Sequence, residues 1–410
     1  MARFTNMQAA VINTGTELLL GKVVNSHLAF LGHHLFPLGI RITWQATVPD
    51  GESIYTALES VMGKYPIVII TGGLGPTSDD VTRDMIAKVT GNPLKLDPDA
   101  EKSLRVWFMK RSIPMDPSNL VQSLVPEGGR IIPNPNGTAP GIYLQHKDTH
   151  FFLLPGPPRE LCPMFQDALK PLLLKIFPNL VEPLSRSFRM TGIGESAAAS
   201  TIQSNLNQFP SVEVGYCIKP GDLEIRLLSS DSTALESASQ VVERKLRSFI
   251  FSAQGKSMEQ TVVDLLITSG KTCSIAESCT GGLIGHRITN VPGSSAVFKG
   301  GVIAYHNSVK SNHLGVPDST LEKKGAVSAE TAVAMAEGVR TNLDADYGVA
   351  VTGIAGPASD DTQKSVGLVF VAVAGSGKTV VEEKNFKTDR ETFKILASQA
   401  ALDLLRRTLG

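Results

Sequence analysis

Residues 276 to 282 read Ala-Glu-Ser-Cys-Thr-Gly-Gly, a combination of types that could carry nucleophilic chemistry. The stretch 271–275 before them reads as the entry to a short buried strand and 283–288 after them as the start of a helix, which puts Ser278 on a strand-to-helix turn. A helix N-terminus offers unpaired N–H groups and partial positive charge, which favour an oxyanion or phosphate, and Gly281 and Gly282 would let backbone approach a ligand. A serine hydroxyl is a weak nucleophile at neutral pH and needs a base, sought at residues 304–310, which include His306 and Lys310. Cys279 is a rival nucleophile, and equally a small buried neighbour. His286 and His306 read as structural.

Four stretches in order carry a resemblance: AESCTGG at 276–282, PGSSAVFKGGVIAYHNSVK at 292–310, GAVSAET at 325–331 and GVAVTGIAGP at 348–357. Together they resemble the nicotinamide-mononucleotide deamidase domain of the competence/damage-inducible CinA proteins. The resemblance implies a catalytic dyad of Ser278 and Lys310. Ser278 would attack the amide carbon, and an uncharged Lys310 would take its proton and later pass one to the leaving ammonia. Backbone N–H groups near Thr280, Gly281 and Gly282, or near Gly353, Ile354 and Ala355, would hold the oxyanion. Thr352 and Gly356 complete that second loop. Tyr305 and Asn307, read with Lys310 as the end of a strand at 297–305, would order the lysine or contact ribose. Arg390 would meet the phosphate. This chemistry asks for no metal or other cofactor.

The N-terminal third holds a second set of loops. A strand at 9–13 leads to Gly15, Thr16 and Glu17, and the apolar strand 67–70 leads to Gly72, Gly73, Gly75, Thr77, Asp79 and Asp80. Two later strands end at Asn136, Gly137 and Thr138 and at Pro155 and Gly156. In parallel sheets ligands sit at such carboxyl ends. The glycines would admit a phosphate, whereas Asp79 and Asp80 would repel one unless they held a bridging cation; alternatively one of them caps the next helix. The four loops resemble the molybdopterin-binding-like domain of CinA proteins. In some members that domain hydrolyses ADP-ribose with a divalent metal of the Mg, Mn or Co class, and the resemblance implies Glu17, Asp79 and Asp80 as metal candidates. The alternative is a pterin- or nucleotide-binding regulatory module without turnover.

Around these sites the predicted architecture is α/β. Strands alternating with helices predict a mostly parallel sheet covered on both faces at 1–170; an α+β connector resembling the small KH-like unit of CinA proteins follows at 171–255, and an α/β deamidase domain at 256–410. Two false signals are set aside. Residues 192–197 fit a GxGxxA dinucleotide fingerprint without the acidic strand end that should follow, so they read as a tight turn. Residues 375–379 echo a phosphate loop but lie between two strands and read as a hairpin.

Lys+Arg and Asp+Glu both number 39 in 410 residues, so no global charge argues for nucleic acid or membrane. The connector's lack of a basic GxxG clamp argues likewise against RNA. The four cysteines form no CxxC, which points to reduced thiols and no zinc knuckle. The start of the chain lacks the pattern of a signal peptide, and no apolar run reaches membrane-spanning length. The expected location is the cytoplasm, and homodimerisation is implied by the resemblance alone.

Overall fold

The computed structural model describes residues 7–357 and 364–410; residues 1–6 of the N-terminal reading lie outside it. Two compact units divide the chain at Pro183/Leu184.

In the first unit a six-stranded sheet has four parallel strands, Ile40–Val48, Met7–Thr14, Ile67–Thr71 and Thr149–Leu154 in spatial order; beyond them Gly141–His146 pairs antiparallel with Thr149–Leu154, and Arg130–Ile132 antiparallel with Gly141–His146. The strand Ile67–Thr71 is buried along its length because both faces are covered. Its pleat sends Ile67 and Ile69 into a core with Leu31, Phe152 and Leu161, and Val68 and Ile70 into another with Leu58 and Ile86. Each such side chain contributes about 1.5–3 kcal/mol when fully buried. The helix Lys170–Ile176 sends Leu173 into the first of these cores, so the expected boundary at residue 170 falls within packed structure. The sequence reading passed over the helix Pro98–Lys110 and the small ribbon Leu94–Leu96 with Leu124–Pro126.

The second unit holds a four-stranded antiparallel sheet with the helices Glu195–Leu206 and Ser232–Leu246, followed by a five-stranded mixed sheet. In the latter, Cys273–Glu277 lies between the parallel strands Phe298–Ile303 and Tyr347–Gly353; Leu368–Ala374 and Thr379–Asn385 extend the sheet antiparallel. The last two form the expected hairpin, closed by Gly375 N–H donating to the Lys378 carbonyl at 3.1 Å. On one face Ile275 and Val349 pack against Phe393 and Leu402 of the C-terminal helix Arg390–Leu409. On the other, Ala276, Ala350 and Ala372 are small enough for the helix Ala329–Asn342 to lie close. Contact there is tight enough that a Cβ on Gly348 would fall 2.1 Å from the Ala336 carbonyl oxygen.

Candidate active site

Ser278 directly follows the central strand Cys273–Glu277. Its N–H donates to the Val351 carbonyl at 3.0 Å and its own carbonyl accepts from Gly281 N–H at 3.2 Å, which closes the predicted turn. The side chain is 8% exposed, at the wall of a cavity of about 160 Å³.

Lys310 reaches the same cavity from an element the sequence reading missed. The strand ends at Ile303, and the chain turns at Ala304 and enters the helix Asn307–Leu314. Lys310 therefore stands in the first turn of a helix, not at a strand end. The short polar run 305–308 hid that start: the His306 ring takes the Ser308 N–H at 3.2 Å as N-cap, a role usually filled by Ser, Thr, Asp or Asn. Lys310 is 1% exposed, and its Nζ donates to the carbonyls of Ala304 at 2.8 Å and Tyr305 at 3.3 Å. Burial pushes its pKa below the ordinary lysine value, opposed by the nearby Cys279. A neutral amine has two N–H donors and one lone pair. With both donors given to carbonyls, the lone pair remains for a hydroxyl.

Of the other expected residues, Tyr305, Asn307, Thr352, Gly353, Ala355 and Arg390 line this cavity, joined by Ala326 and Val327 from the 325–331 stretch. Arg390 donates from Nη2 to the Tyr305 hydroxyl at 2.9 Å and from Nη1 to the Gly356 carbonyl at 2.7 Å. Thr352 is occupied in holding that wall, its hydroxyl donating to the Ala326 carbonyl at 2.7 Å.

The expected oxyanion donors need correction. Glu277, 3% exposed, turns its carboxylate onto the helix Leu283–Thr289 and accepts from the N–H groups of Gly282 at 3.0 Å, Ile284 at 3.2 Å and Gly285 at 2.9 Å. The protein's own anion thus fills the positive helix end, and Gly282 is closed to a ligand. Gly281 N–H is held in the turn, and Ile354 N–H donates to the Leu368 carbonyl at 2.8 Å. Thr280 is fully buried, with its hydroxyl unpartnered among the described residues, and is not part of the cavity wall. Among the described residues no acceptor on another residue takes the N–H of Cys279 or of Ala355, and both residues line the cavity. The Cys279 thiol is pushed up to about 12 by burial, which keeps it protonated and a poor rival to the serine.

In the first unit a cavity of about 340 Å³ is lined by Gly15, Glu17, Gly72, Gly73, Gly75, Asp79, Asp80, Thr138, Pro155 and Gly156, all expected. It also includes Asp50, Gln122 and Glu160, none of them among the expected site residues. Thr16, Thr77, Asn136 and Gly137 are not on its wall. Thr16 donates from N–H and hydroxyl to Asp50, both at 3.1 Å; Thr77 N–H donates to Asp80 at 3.0 Å; Asn136 N–H donates to Asn134 at 3.1 Å. Asp80 is thereby a turn lock, and a Cβ on Gly75 would sit 2.3 Å from its Oδ2. Gly137 lines a neighbouring cavity of about 460 Å³ with Trp107 and Met164; the two cavities share Thr138. His27 ties the loops from behind, its ring on the Thr71 hydroxyl at 3.2 Å and on the Gly156 backbone, and burial lowers its pKa.

The carboxylates of Glu17, Asp50, Asp79, Asp80 and Glu160 give this cleft a hard, all-oxygen donor set. Among the described residues, however, no three carboxylate, imidazole or thiolate groups converge to hold a metal. The set suits magnesium-class ions in kind, for such ions take one or two carboxylates and complete their shell with water and substrate phosphates.

With both sites placed, the chain is an α/β protein whose two units each carry a cleft at the carboxyl ends of parallel strands. Residues 10–175 match the family described as probable molybdopterin binding domain, and residues 255–409 match the CinA C-terminal domain. A CinA-like protein of Akkermansia muciniphila is 40% identical over 399 residues, covering 97% of this chain and 96% of that relative. One of Dictyoglomus thermophilum is 38% identical over 411 residues, covering 98% and 99%. Among solved structures, the competence/damage inducible protein CihA from Agrobacterium tumefaciens is 38% identical with a TM-score of 0.35, covering 38% of this chain and 96% of that one. The chain belongs to the CinA family. Among the described residues no helix is long and apolar enough to cross a membrane.

Proposed function

We propose that the C-terminal cavity hydrolyses the carboxamide of nicotinamide mononucleotide to the acid and ammonia, with Ser278 as nucleophile and Lys310 as general base. The observation that carries this reading is a lysine buried with its donors on two carbonyls, facing the same small cavity as a serine on a strand-to-helix turn. Ser278 Oγ forms a bond to the amide carbon as its proton passes to the Lys310 amine, and the carbonyl π electrons move onto oxygen. The N–H groups of Cys279 and Ala355 are the free donors for that oxyanion; the first belongs to the residue after the nucleophile. Collapse breaks the C–N bond, and the Lys310 ammonium returns the proton so that ammonia leaves. Water, deprotonated by the same amine, then cleaves the acyl-serine and restores the hydroxyl. The test is ammonia release from nicotinamide mononucleotide by the full chain in EDTA, lost in Ser278→Ala. Full activity in that variant overturns the assignment.

For the first unit, a nucleotide pyrophosphatase acting on ADP-ribose is the reading favoured by an oxygen-rich cleft under glycine loops, beside a larger cavity of a size to take a base. A divalent cation held by Asp79 and Glu17 would neutralise charge on the pyrophosphate. The glycine loops bring backbone close to phosphate, and the Asp50 contact to Thr16 and the Asp80 contact to Thr77 fix their shape. Metal-dependent formation of AMP and ribose 5-phosphate tests this. Tight binding of ADP-ribose without any product would favour the regulatory alternative. If both activities are present, the protein recycles two breakdown products of NAD.

A further inference from the structure

The carboxylates that line the cleft of the first unit are placed in different ways. Asp50 and Asp80 are committed to the turns they lock, at Thr16 and Thr77. Glu17 and Asp79 stand exposed on their loops. Glu160 alone among them is buried, at 8% exposure. It lies in the first turn of the helix Pro158–Met164, its N–H donating to the Pro157 carbonyl at 2.9 Å. Helical side chains lean toward the N-terminus, which brings this carboxylate back toward the Pro155–Gly156 loop and onto the cleft wall.

Its two oxygens differ. Oε2 is fixed: Asn134 Nδ2 donates to it at 2.9 Å and to the Ala139 carbonyl at 2.8 Å, and a Cβ on Gly137 would collide with it, so the loop needs glycine there to close over the carboxylate. Oε1 takes no hydrogen bond from a described residue, and the guanidinium of Arg159, on a side chain 83% exposed, stays 3.9 Å away. The group that orients Glu160 is a neutral amide, and no metal-ligating cluster forms among the described residues. A buried, aimed carboxylate with one open oxygen suits a base better than a ligand. We propose that Glu160 is the general base for the pyrophosphate cleavage read for this cleft, with Asn134 as the residue that aims it; this rests on that reading. Glu160 Oε1 accepts a hydrogen bond from a water in the cleft. As the water oxygen forms its bond to phosphorus, its proton passes to Oε1. The bond from that phosphorus to the bridging oxygen breaks, with its electron pair moving onto the departing phosphate. ADP-ribose thereby yields AMP and ribose 5-phosphate, and Glu160 gives the proton to solvent.

The experiment measures AMP release from ADP-ribose by the full chain with manganese. Glu160→Gln keeps an oxygen for Asn134 and removes the base, so kcat falls by about 10²–10⁴ with KM within about threefold. In Glu160→Ala the vacated space opens on the cleft, and added formate raises the rate about tenfold; it does nothing for Asp79→Asn. Calorimetric titration with manganese and with AMP reads binding apart from turnover, and Glu160→Gln keeps both affinities. A wild-type kcat in Glu160→Gln overturns the base, as does a loss of manganese affinity, which would make Glu160 a ligand. A rate loss that formate leaves in place makes it a brace for the Asn134 loop and overturns the base as well. In each of these cases the wild type still releases AMP and the pyrophosphatase reading stands. A wild type that binds ADP-ribose and releases no AMP sinks that reading, and the base with it.

Discussion

Lys310 Nζ donates to the Ala304 carbonyl oxygen at 2.8 Å, so the amine is held by its own chain at the exit of the strand beside the serine. The proposed deamidation requires the unprotonated amine, whose pKa burial lowers. The expected kcat/KM therefore rises with pH and levels off before the ordinary lysine range. Lys310→Met lowers kcat by about 10²–10⁴. Stability carries the same sign. With a folded pKa below the unfolded one, the unfolded chain binds more protons in the window between them, and the penalty of the buried charge is complete below the folded value. Wild type should gain stability relative to Lys310→Met as pH rises through that window, read by denaturant midpoints. A flat difference would mean the amine is not desolvated.

Cys279 adjoins the proposed nucleophile, Ser278, but is held as a thiol. Cys279→Ser should keep most of the proposed deamidase activity, and iodoacetamide should inactivate the wild type slowly at neutral pH, because thiolate is scarce when burial pushes the group up to about 12. Loss of activity in Cys279→Ser with full activity in Ser278→Ala would exchange the two roles.

Glu277→Ala leaves three N–H groups at the start of Leu283–Thr289 without their acceptor. An unsatisfied buried donor costs about 1–3 kcal/mol, and water will recover part of that, so a net loss on the order of 3 kcal/mol is expected in urea unfolding. Unfolding at the wild-type midpoint would show that the carboxylate does not hold the turn.

Tyr305 is 62% exposed, so removing its hydroxyl should leave thermal stability unchanged. Tyr305→Phe frees Arg390 from one of its contacts. A several-fold rise in KM for nicotinamide mononucleotide with little change in kcat is expected from steady-state rates, and a fall in kcat alone would assign the tyrosine to the chemical step.

The two cavities belong to separate compact units, which makes the two proposed activities separable. Asp79→Asn, or EDTA, should abolish AMP release from ADP-ribose while ammonia release continues at the wild-type rate. AMP release that persists in EDTA would remove the metal from the first unit's chemistry.

Local sequence determined a good deal here. Apolar runs ending in glycine loops made the strand carboxyl ends legible, because burial on both faces demands such runs and close backbone approach demands glycine. Ser278 on its turn and most of the residues lining both cavities follow from that. Tertiary structure alone decided the electrostatics. Glu277 reads as one polar residue in a strand, yet it reaches over the turn and takes the helix end that local pattern assigns to a ligand. A lysine is by type a solvated charge, and only the packing of its helix removes Lys310 from water. Asp50 and Glu160 join a cleft, and Arg390 meets Tyr305, through hydrogen bonds and contacts between residues far apart in the chain. Such partners leave no periodic trace, and solvent exclusion, which sets whether an amine or thiol ionises, exists only once the elements have packed.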